Sequence, residues 1–181
     1  YKYLILQMEM ILQVFRLIQL NSNVTFYIFN YMTEEDIIKA QKSWSDGIIK
    51  MGEISEDRVS LEIFVSDFLD RLYDFDNQVL FKPTKAKIVQ FRNDKESATS
   101  YFISGDNRKC LEDNGFALAN WHKITFKNSD IILNSEFALA MGNYTFENKN
   151  SKIKAEFSFG YKKVNGLLKI TLHHSSIPFQ G

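Results

Sequence analysis

The chain has 181 residues, with 22 acidic and 22 basic side chains, so its formal net charge at pH 7 is zero. Nucleic acids and anionic membranes normally require a basic surplus on the protein, and the balanced charge therefore argues against both as main partners. Hydrophobic residues make up 45% of the chain and aromatic residues 14%, which is enough to build the core of one domain.

Few residues are suited to bind a transition metal. The chain has one cysteine, Cys110, and three histidines, His122, His173 and His174. A catalytic zinc ion takes about three protein ligands, and adjacent histidines on a strand point to opposite faces. The sequence therefore predicts no three-histidine zinc site, no internal disulfide and no cofactor. Cys110 lies in a polar stretch, where a bystander thiol is expected rather than a catalytic one.

Residues 1–32 are predicted to be an extension of the domain. Glu9 and Arg16 interrupt their first apolar run, so a membrane span is not expected. The small-residue cleavage site of a secretory signal is also missing. We expect either an amphipathic helix that docks on the domain or on a partner, or a segment that is not native, since the first residue is not Met. Without a convincing targeting signal, the expected location is the cytoplasm.

Two helices are predicted at the start of the domain proper, residues 33–181. Thr33 followed by three acidic residues is a helix-start signature, and apolar residues then recur at helical spacing as far as Met51. A second start signature at residues 55–57 predicts a helix that ends between residues 74 and 77.

The rest of the domain is predicted to be strands. The predicted strands comprise residues 79–84, 87–92, 98–104, 117–128, 131–146, 152–162 and 167–176. Helices followed by antiparallel strands indicate an α+β fold, in which the N-terminal helices pack on one side of a curved antiparallel sheet.

The last two strands carry the clearest local signal. Asn165-Gly166 between two alternating segments predicts a two-residue type I′ turn. The predicted pairs are Val164 with Leu167, Tyr161 with Ile170, Phe159 with Leu172, and Phe157 with His174. On this register His174 and Ser176 end the apolar face and look like the floor of a pocket. A slip of one residue would put His173 and Ser175 there instead.

The order of helices and strands resembles that of the nuclear transport factor 2-like superfamily, whose fold is a cone-shaped α+β barrel. Six short sequence segments point to one family within it. They are FKPT at 81–84, SYFISG at 100–105, GFA at 115–117, WHKI at 121–124, AMGNY at 140–144 and LKITLHHSSIP at 168–178. Together they resemble the iota-class carbonic anhydrases of algae and bacteria, which are related to the association domain of calcium/calmodulin-dependent protein kinase II. The match covers about residues 33–179.

The resemblance implies reversible hydration of carbon dioxide to bicarbonate in a pocket that needs no bound metal. The family contacts bicarbonate through a threonine, a tyrosine, and a histidine and serine near the end of the last strand. The first two correspond to Thr84 and Tyr101. Because the last string has two adjacent histidines followed by two adjacent serines, the other two residues can be either His174 with Ser176 or His173 with Ser175. The hairpin register favours His174 and Ser176.

Each of the four favoured residues has an expected role. Thr84 and Tyr101 are expected to hold bicarbonate or the attacking water, and Ser176 is expected to donate a further hydrogen bond. His174 is expected to orient the water or to relay its proton near neutral pH.

Two other functions are compatible with the same fold. The first is a noncatalytic association module that assembles into a defined oligomer. The second is an isomerase or dehydratase, which is disfavoured because no acidic residue falls on the predicted pocket face of the final hairpin. For the superfamily in general, a homodimer formed through the sheet is the default expectation.

Overall fold

The computed structural model describes residues 32–181. The predicted N-terminal extension, residues 1–32, therefore lies outside the described residues apart from Met32. No helix within the described part of the chain is both long and apolar enough to cross a membrane.

The two N-terminal helices begin at the predicted start signatures. Helix α1 (Glu34–Glu53) has a capping box, in which Thr33 Oγ1 accepts the Asp36 N–H at 3.2 Å and the Asp36 carboxylate accepts the Thr33 N–H at 3.0 Å. Helix α2 (Arg58–Leu72) is capped by Asp57, and it ends slightly earlier than predicted. Both caps satisfy backbone N–H groups that have no partner within the helix.

A third helix, α3 (Lys95–Ile103), replaces the predicted strand at 98–104, and that prediction is wrong. Asp94 caps the helix by accepting the Ser97 N–H at 2.9 Å. The buried residues of α3 are Ser97, Ala98, Ser100, Tyr101, Phe102 and Ile103. Because burial extends around most of this short helix, its apolar residues form no stripe at helical spacing.

No strand forms over residues 87–92 either. Instead the Glu112 carboxylate accepts the backbone N–H groups of Lys87, Ile88 and Val89 at distances from 2.8 to 3.0 Å. These N–H groups would have to pair with a neighbouring strand in a sheet, and the carboxylate holds the segment as a loop.

Within residues 32–181 the sheet has five strands, in the order β1-β5-β4-β3-β2. The strands are β1 (Leu80–Lys82), β2 (Lys123–Leu133), β3 (Phe137–Glu147), β4 (Lys152–Val164) and β5 (Leu167–Ser176). β1 pairs in parallel with β5, and the other neighbours are antiparallel. The predicted α+β fold is confirmed, with a mixed sheet rather than a wholly antiparallel one.

One extra residue in β5 changes which of its side chains face the core. Tyr161 pairs with Ile170, but the preceding residue Gly160 pairs with Leu172, so Thr171 has no partner in β4. This is a β-bulge, and it shifts the alternation of β5 by one residue.

The predicted register is therefore confirmed near the turn and wrong beyond the bulge. The observed pairs are Val164 with Leu167, Tyr161 with Ile170, Phe159 with His173, and Phe157 with Ser175. The side chains of His173 and Ser175 face the core, and His174 is exposed.

The core lies between the helices and one face of the sheet, with Trp44 of α1 at its centre. Among the described residues, the rings whose centroids lie within 6.5 Å of the Trp44 ring are those of Phe102, Phe126, Tyr144, Phe146, Phe159 and His173. Most of these contacts are edge-to-face, the arrangement that the aromatic quadrupole favours. An imidazole is thus packed into an aromatic core.

The bulge in β5 depends on the glycine opposite it. A Cβ atom at Gly160 would lie 2.9 Å from Leu172 Cβ, so Gly160→Ala requires the two strands to move apart. We expect this change to lower the free energy of unfolding by about 1–3 kcal/mol, measured by urea denaturation. Gly166→Ala is the control, since its Cβ meets nothing within 4 Å and its cost comes only from the positive φ of 80°. We expect about 1 kcal/mol there, and a loss in Gly160→Ala smaller than that in Gly166→Ala would contradict the steric argument.

Candidate active site

A small cavity lies inside the domain, next to the parallel pair β1 and β5. Its apolar lining consists of Trp44, Phe81, Pro83 and Phe116, and its polar lining of Thr84, Tyr101, Tyr144, His173 and Ser175. The volume is about 10 Å³, roughly the room that one water molecule needs. Hydroxyl and imidazole groups thus surround a water-sized cavity within an aromatic core.

Two of the four favoured site residues line this cavity, and two do not. Thr84 and Tyr101 do. His174 is exposed, and Ser176 Oγ donates to Glu156 Oε2 at 2.9 Å at the surface. The predicted orientation of His174 and Ser176 is therefore wrong, because the bulge at Thr171 reverses the alternation on which it was based.

The alternative pair, His173 and Ser175, lines the cavity instead. Each is only 2% exposed. Parallel pairing sets Phe81 of β1 opposite His173 of β5. The chain then turns at Pro83, and Thr84 comes into hydrogen-bond contact with Ser175, hydroxyl to hydroxyl. The polar pair is thus built by the ends of two adjacent strands.

His173 is held between two aromatic rings. Its ring centroid lies 4.6 Å from that of Phe81, with the planes 20° apart, and 4.3 Å from that of Phe159. Burial lowers the pKa of His173 well below its usual range, and the neighbouring His174 adds to the effect. At neutral pH the imidazole is therefore uncharged.

Both ring nitrogens of His173 face tyrosine hydroxyls. Nδ1 lies 2.9 Å from Tyr73 Oη, and Nε2 lies 3.5 Å from Tyr144 Oη. Burial raises the pKa of Tyr73 and Tyr144, so both phenols stay protonated at neutral pH. The hydroxyls of Ser175 and Thr84 lie close to the Tyr144 phenol and oppose part of that shift.

Three residues of this arrangement were not predicted as site residues from the sequence. Tyr144 falls within one of the family-like strings, AMGNY, but its role depends on the register of β3 against β4. Trp44 belongs to the apolar stripe that the sequence predicts for the first helix, and it lines the cavity. Tyr73, directly after α2, carries no motif, and its position is visible only once the bridge to Ile170 of β5 is known.

Tyr101 separates the cavity from the protein surface. It is buried on α3, and its ring stacks on that of Phe116 with centroids 5.4 Å apart and planes 13° apart. A surface pocket of about 250 Å³ lies beyond and shares both rings with the cavity. Burial raises the pKa of Tyr101, so its hydroxyl is a hydrogen-bond donor at neutral pH. The stacked pair therefore lies between the cavity and this surface pocket.

A buried polar cluster fixes α3 next to Tyr101. Ser100 Oγ donates to Asp113 Oδ2 at 2.5 Å, and the buried Arg92 guanidinium contacts Asp113 Oδ1 at 2.8 Å. Cys110 is buried in the same region, where its N–H donates to Ser100 Oγ at 3.0 Å. The thiol does not line the cavity. Within residues 32–181, no group of three or more His, Cys, Asp or Glu side chains is placed to hold a metal ion.

Comparisons with known proteins agree on one family. The family model described as metal-independent carbonic anhydrase matches residues 35–177. The metal-independent carbonic anhydrase of Nostoc sp. is 32% identical over 156 residues, covering 82% of this chain and 75% of that protein.

Solved structures agree with the sequence comparisons. A cyanobacterial iota-carbonic anhydrase crystallised with bicarbonate superposes with a TM-score of 0.79 at 29% identity, covering 84% of this chain and 96% of that one. A putative calcium/calmodulin-dependent protein kinase II association domain from Xanthomonas campestris shares the fold, with a TM-score of 0.55 at 21% identity, covering 83% and 91% of the two chains. The chain belongs to the metal-independent, iota-class carbonic anhydrase family.

Proposed function

We propose that the cavity lined by Thr84, Tyr101, Tyr144, His173 and Ser175 is the site at which this protein hydrates carbon dioxide and binds bicarbonate. The observation that carries the proposal is the contact between the hydroxyls of Thr84 and Ser175 beside an uncharged, buried imidazole. The bicarbonate complex of the cyanobacterial relative supports the choice of ligand.

The reaction joins a water oxygen to the carbon of carbon dioxide, and the water gives up one proton. Ser175 and Thr84 are suited to bind and orient the attacking water, because a hydroxyl can accept one hydrogen bond and donate another at the same time. The N–H and O–H donors of His173, Tyr101 and Tyr144 suit the negative charge that develops on the substrate oxygens. Such donors are stronger in a buried site than in water, because little solvent screens them there.

Thr84 is the group through which the proton would leave. It is half-buried, whereas the other four polar residues of the cavity are buried. Its contact with Ser175 therefore connects the interior to the solvent through two hydroxyls. In this scheme the proton passes from the attacking water along that pair, and bicarbonate leaves past the stacked rings of Tyr101 and Phe116. Carbon dioxide is larger than water, so these rings must also move apart to admit it.

Removal of one donor tests the assignment. Tyr101→Phe and Ser175→Ala are each expected to lower kcat for carbon dioxide hydration by about a hundredfold, since each removes a hydrogen bond that strengthens in the transition state. Stopped-flow measurement on chelator-treated protein gives the rate. His174→Ala is the matched control, because this histidine is exposed, and we expect wild-type activity. A loss in His174→Ala equal to that in Ser175→Ala would overturn the site, and activity that returns only with added metal would overturn the metal-free scheme.

The protein is also proposed to form a homodimer through the outer face of the sheet. This face has a groove of about 870 Å³ lined mainly by apolar side chains. The exposed large apolar residues that line it are Leu80, Phe91, Ile132, Leu139 and Met141. Apolar patches of this kind commonly mark protein interfaces. The cytoplasmic location stays a prediction from the sequence.

A charge in this groove is expected to disrupt the dimer. Met141, which is 61% exposed on β3, would be buried against the partner, and an unpaired charge there has a high desolvation cost. Met141→Lys should therefore sediment as a monomer in analytical ultracentrifugation. Val59→Lys changes a comparably exposed residue on α2 and should leave the dimer intact. A monomeric wild type, or a dimer that tolerates Met141→Lys, would rule out this interface.

A further inference from the structure

His173 belongs to a line of four hydrogen-bonding side chains, all buried. Trp44 Nε1 lies 2.8 Å from Tyr73 Oη, and Tyr73 Oη lies 2.9 Å from His173 Nδ1. On the other side of the ring, His173 Nε2 lies 3.5 Å from Tyr144 Oη. Helix α1 supplies the first residue, and β5 supplies the histidine.

The chemistry of Trp44 sets the direction of these hydrogen bonds. An indole N–H only donates, so Tyr73 Oη must accept from it. If His173 Nδ1 also donated to Tyr73, the phenol proton would have no acceptor among the contacts that the structure gives this hydroxyl. An unpaired polar hydrogen is costly in a buried position. Tyr73 therefore donates to His173 Nδ1, which acts as the acceptor.

We propose that Trp44 and Tyr73 are positioning residues that hold His173 as the neutral Nε2–H tautomer, so that the imidazole donates into the cavity and does not take the proton of the attacking water. This inference rests on the proposed function for its catalytic meaning. The tautomer itself follows from the hydrogen bonds alone.

The line also closes the route by which His173 could pass a proton onward. A relay through the ring requires that Nδ1 give a proton to Tyr73 while Tyr73 gives its own to a further acceptor. The next group is the indole N–H of Trp44, which cannot accept one. Phe81 and Phe159 pack on the imidazole and disfavour its charged form. His173 therefore differs from the usual catalytic histidine that takes up and releases protons.

The Nε2–H of His173 makes only a long hydrogen bond within the protein, so it can still donate to a ligand. Its distance of 3.5 Å to Tyr144 Oη is longer than the usual 2.7–3.2 Å of an N–H···O bond. A substrate oxygen in the cavity could accept this proton at shorter range, and the gain in strength would come only when charge develops on that oxygen. A donor held in place in this way needs no reorganisation during the reaction.

The tautomer can be measured directly by ¹⁵N NMR on histidine-labelled protein, with His173→Gln used to assign the signals. We expect a protonated Nε2 and an unprotonated Nδ1 for His173, unchanged across about pH 6 to 8. His174, which is exposed, provides the comparison within the same sample. A protonated Nδ1, or an imidazolium that forms within this range, would overturn the proposal.

Tyr73→Phe then tests whether the positioning matters. The ring is retained, and the hydroxyl that donates to Nδ1 is lost. We expect a mixture of tautomers by NMR and a kcat about tenfold lower, with KM nearly unchanged. Tyr161→Phe is the matched control, since Tyr161 is equally buried and its hydroxyl bonds to none of Trp44, Tyr73 and His173. It should keep the wild-type tautomer and rate.

The outcomes separate this inference from the proposed function. A wild-type protein with the Nε2–H tautomer and no hydration activity would refute the function and leave the tautomer standing. An active protein whose tautomer is unchanged by Tyr73→Phe would refute the role of Tyr73 and leave the function standing.

Discussion

The geometry of the site depends on one close approach between two strands. Gly160 of β4 lies against Leu172 of β5 with no space for a side chain, and Thr171 is the extra residue of the bulge beside it. If Thr171 instead paired with a residue of β4, regular alternation would turn His173 and Ser175 outward. The sheet uses the same device at Gly142, where a Cβ would lie 2.1 Å from the Lys127 carbonyl oxygen and the register of β2 shifts between Asn128 and Asp130. Bulges opposite glycines thus set the direction of the side chains in the β2–β3 and β4–β5 hairpins.

The bulge brings an imidazole into surroundings that would ordinarily exclude it. A buried polar ring requires hydrogen-bond partners, and His173 has Tyr73 on one nitrogen and Tyr144 on the other. Because both partners are phenols with raised pKa, the cluster carries no charge and avoids the large cost of burying an ion. The aromatic core around Trp44 and the hydrogen bonds through Tyr73 therefore involve the same side chains. Trp44 and Tyr73 pack against the His173 ring, and they also form the hydrogen bonds that lead to it.

Local signals in the sequence predict much of this fold. The Thr33 cap and the Asn165-Gly166 turn are short-range features, and the structure agrees with both. The predicted order of helices before strands also holds, except that α3 follows β1. The family-like strings also identify Thr84 and Tyr101, which do line the cavity. The errors occur where tertiary contacts override local pattern. Because α3 is buried around most of its circumference, its sequence lacks the apolar stripe that would predict a helix. The bulge changes which side chains of β5 face the core. A glycine inside a strand was the available sign of that bulge, but it does not say which strand carries the extra residue.

A putative calcium/calmodulin-dependent protein kinase II association domain shares this fold at 21% identity, and a fold by itself does not determine a function. What can distinguish a catalytic member is therefore the set of side chains inside the domain rather than the sheet and helices around them. Here the side chains of the proposed site come from β5, from β3, from the segment after β1 and from α3. None of these elements holds the site alone. The contact between Thr84 and Ser175 therefore depends on the pairing of β1 with β5 as well as on each strand by itself.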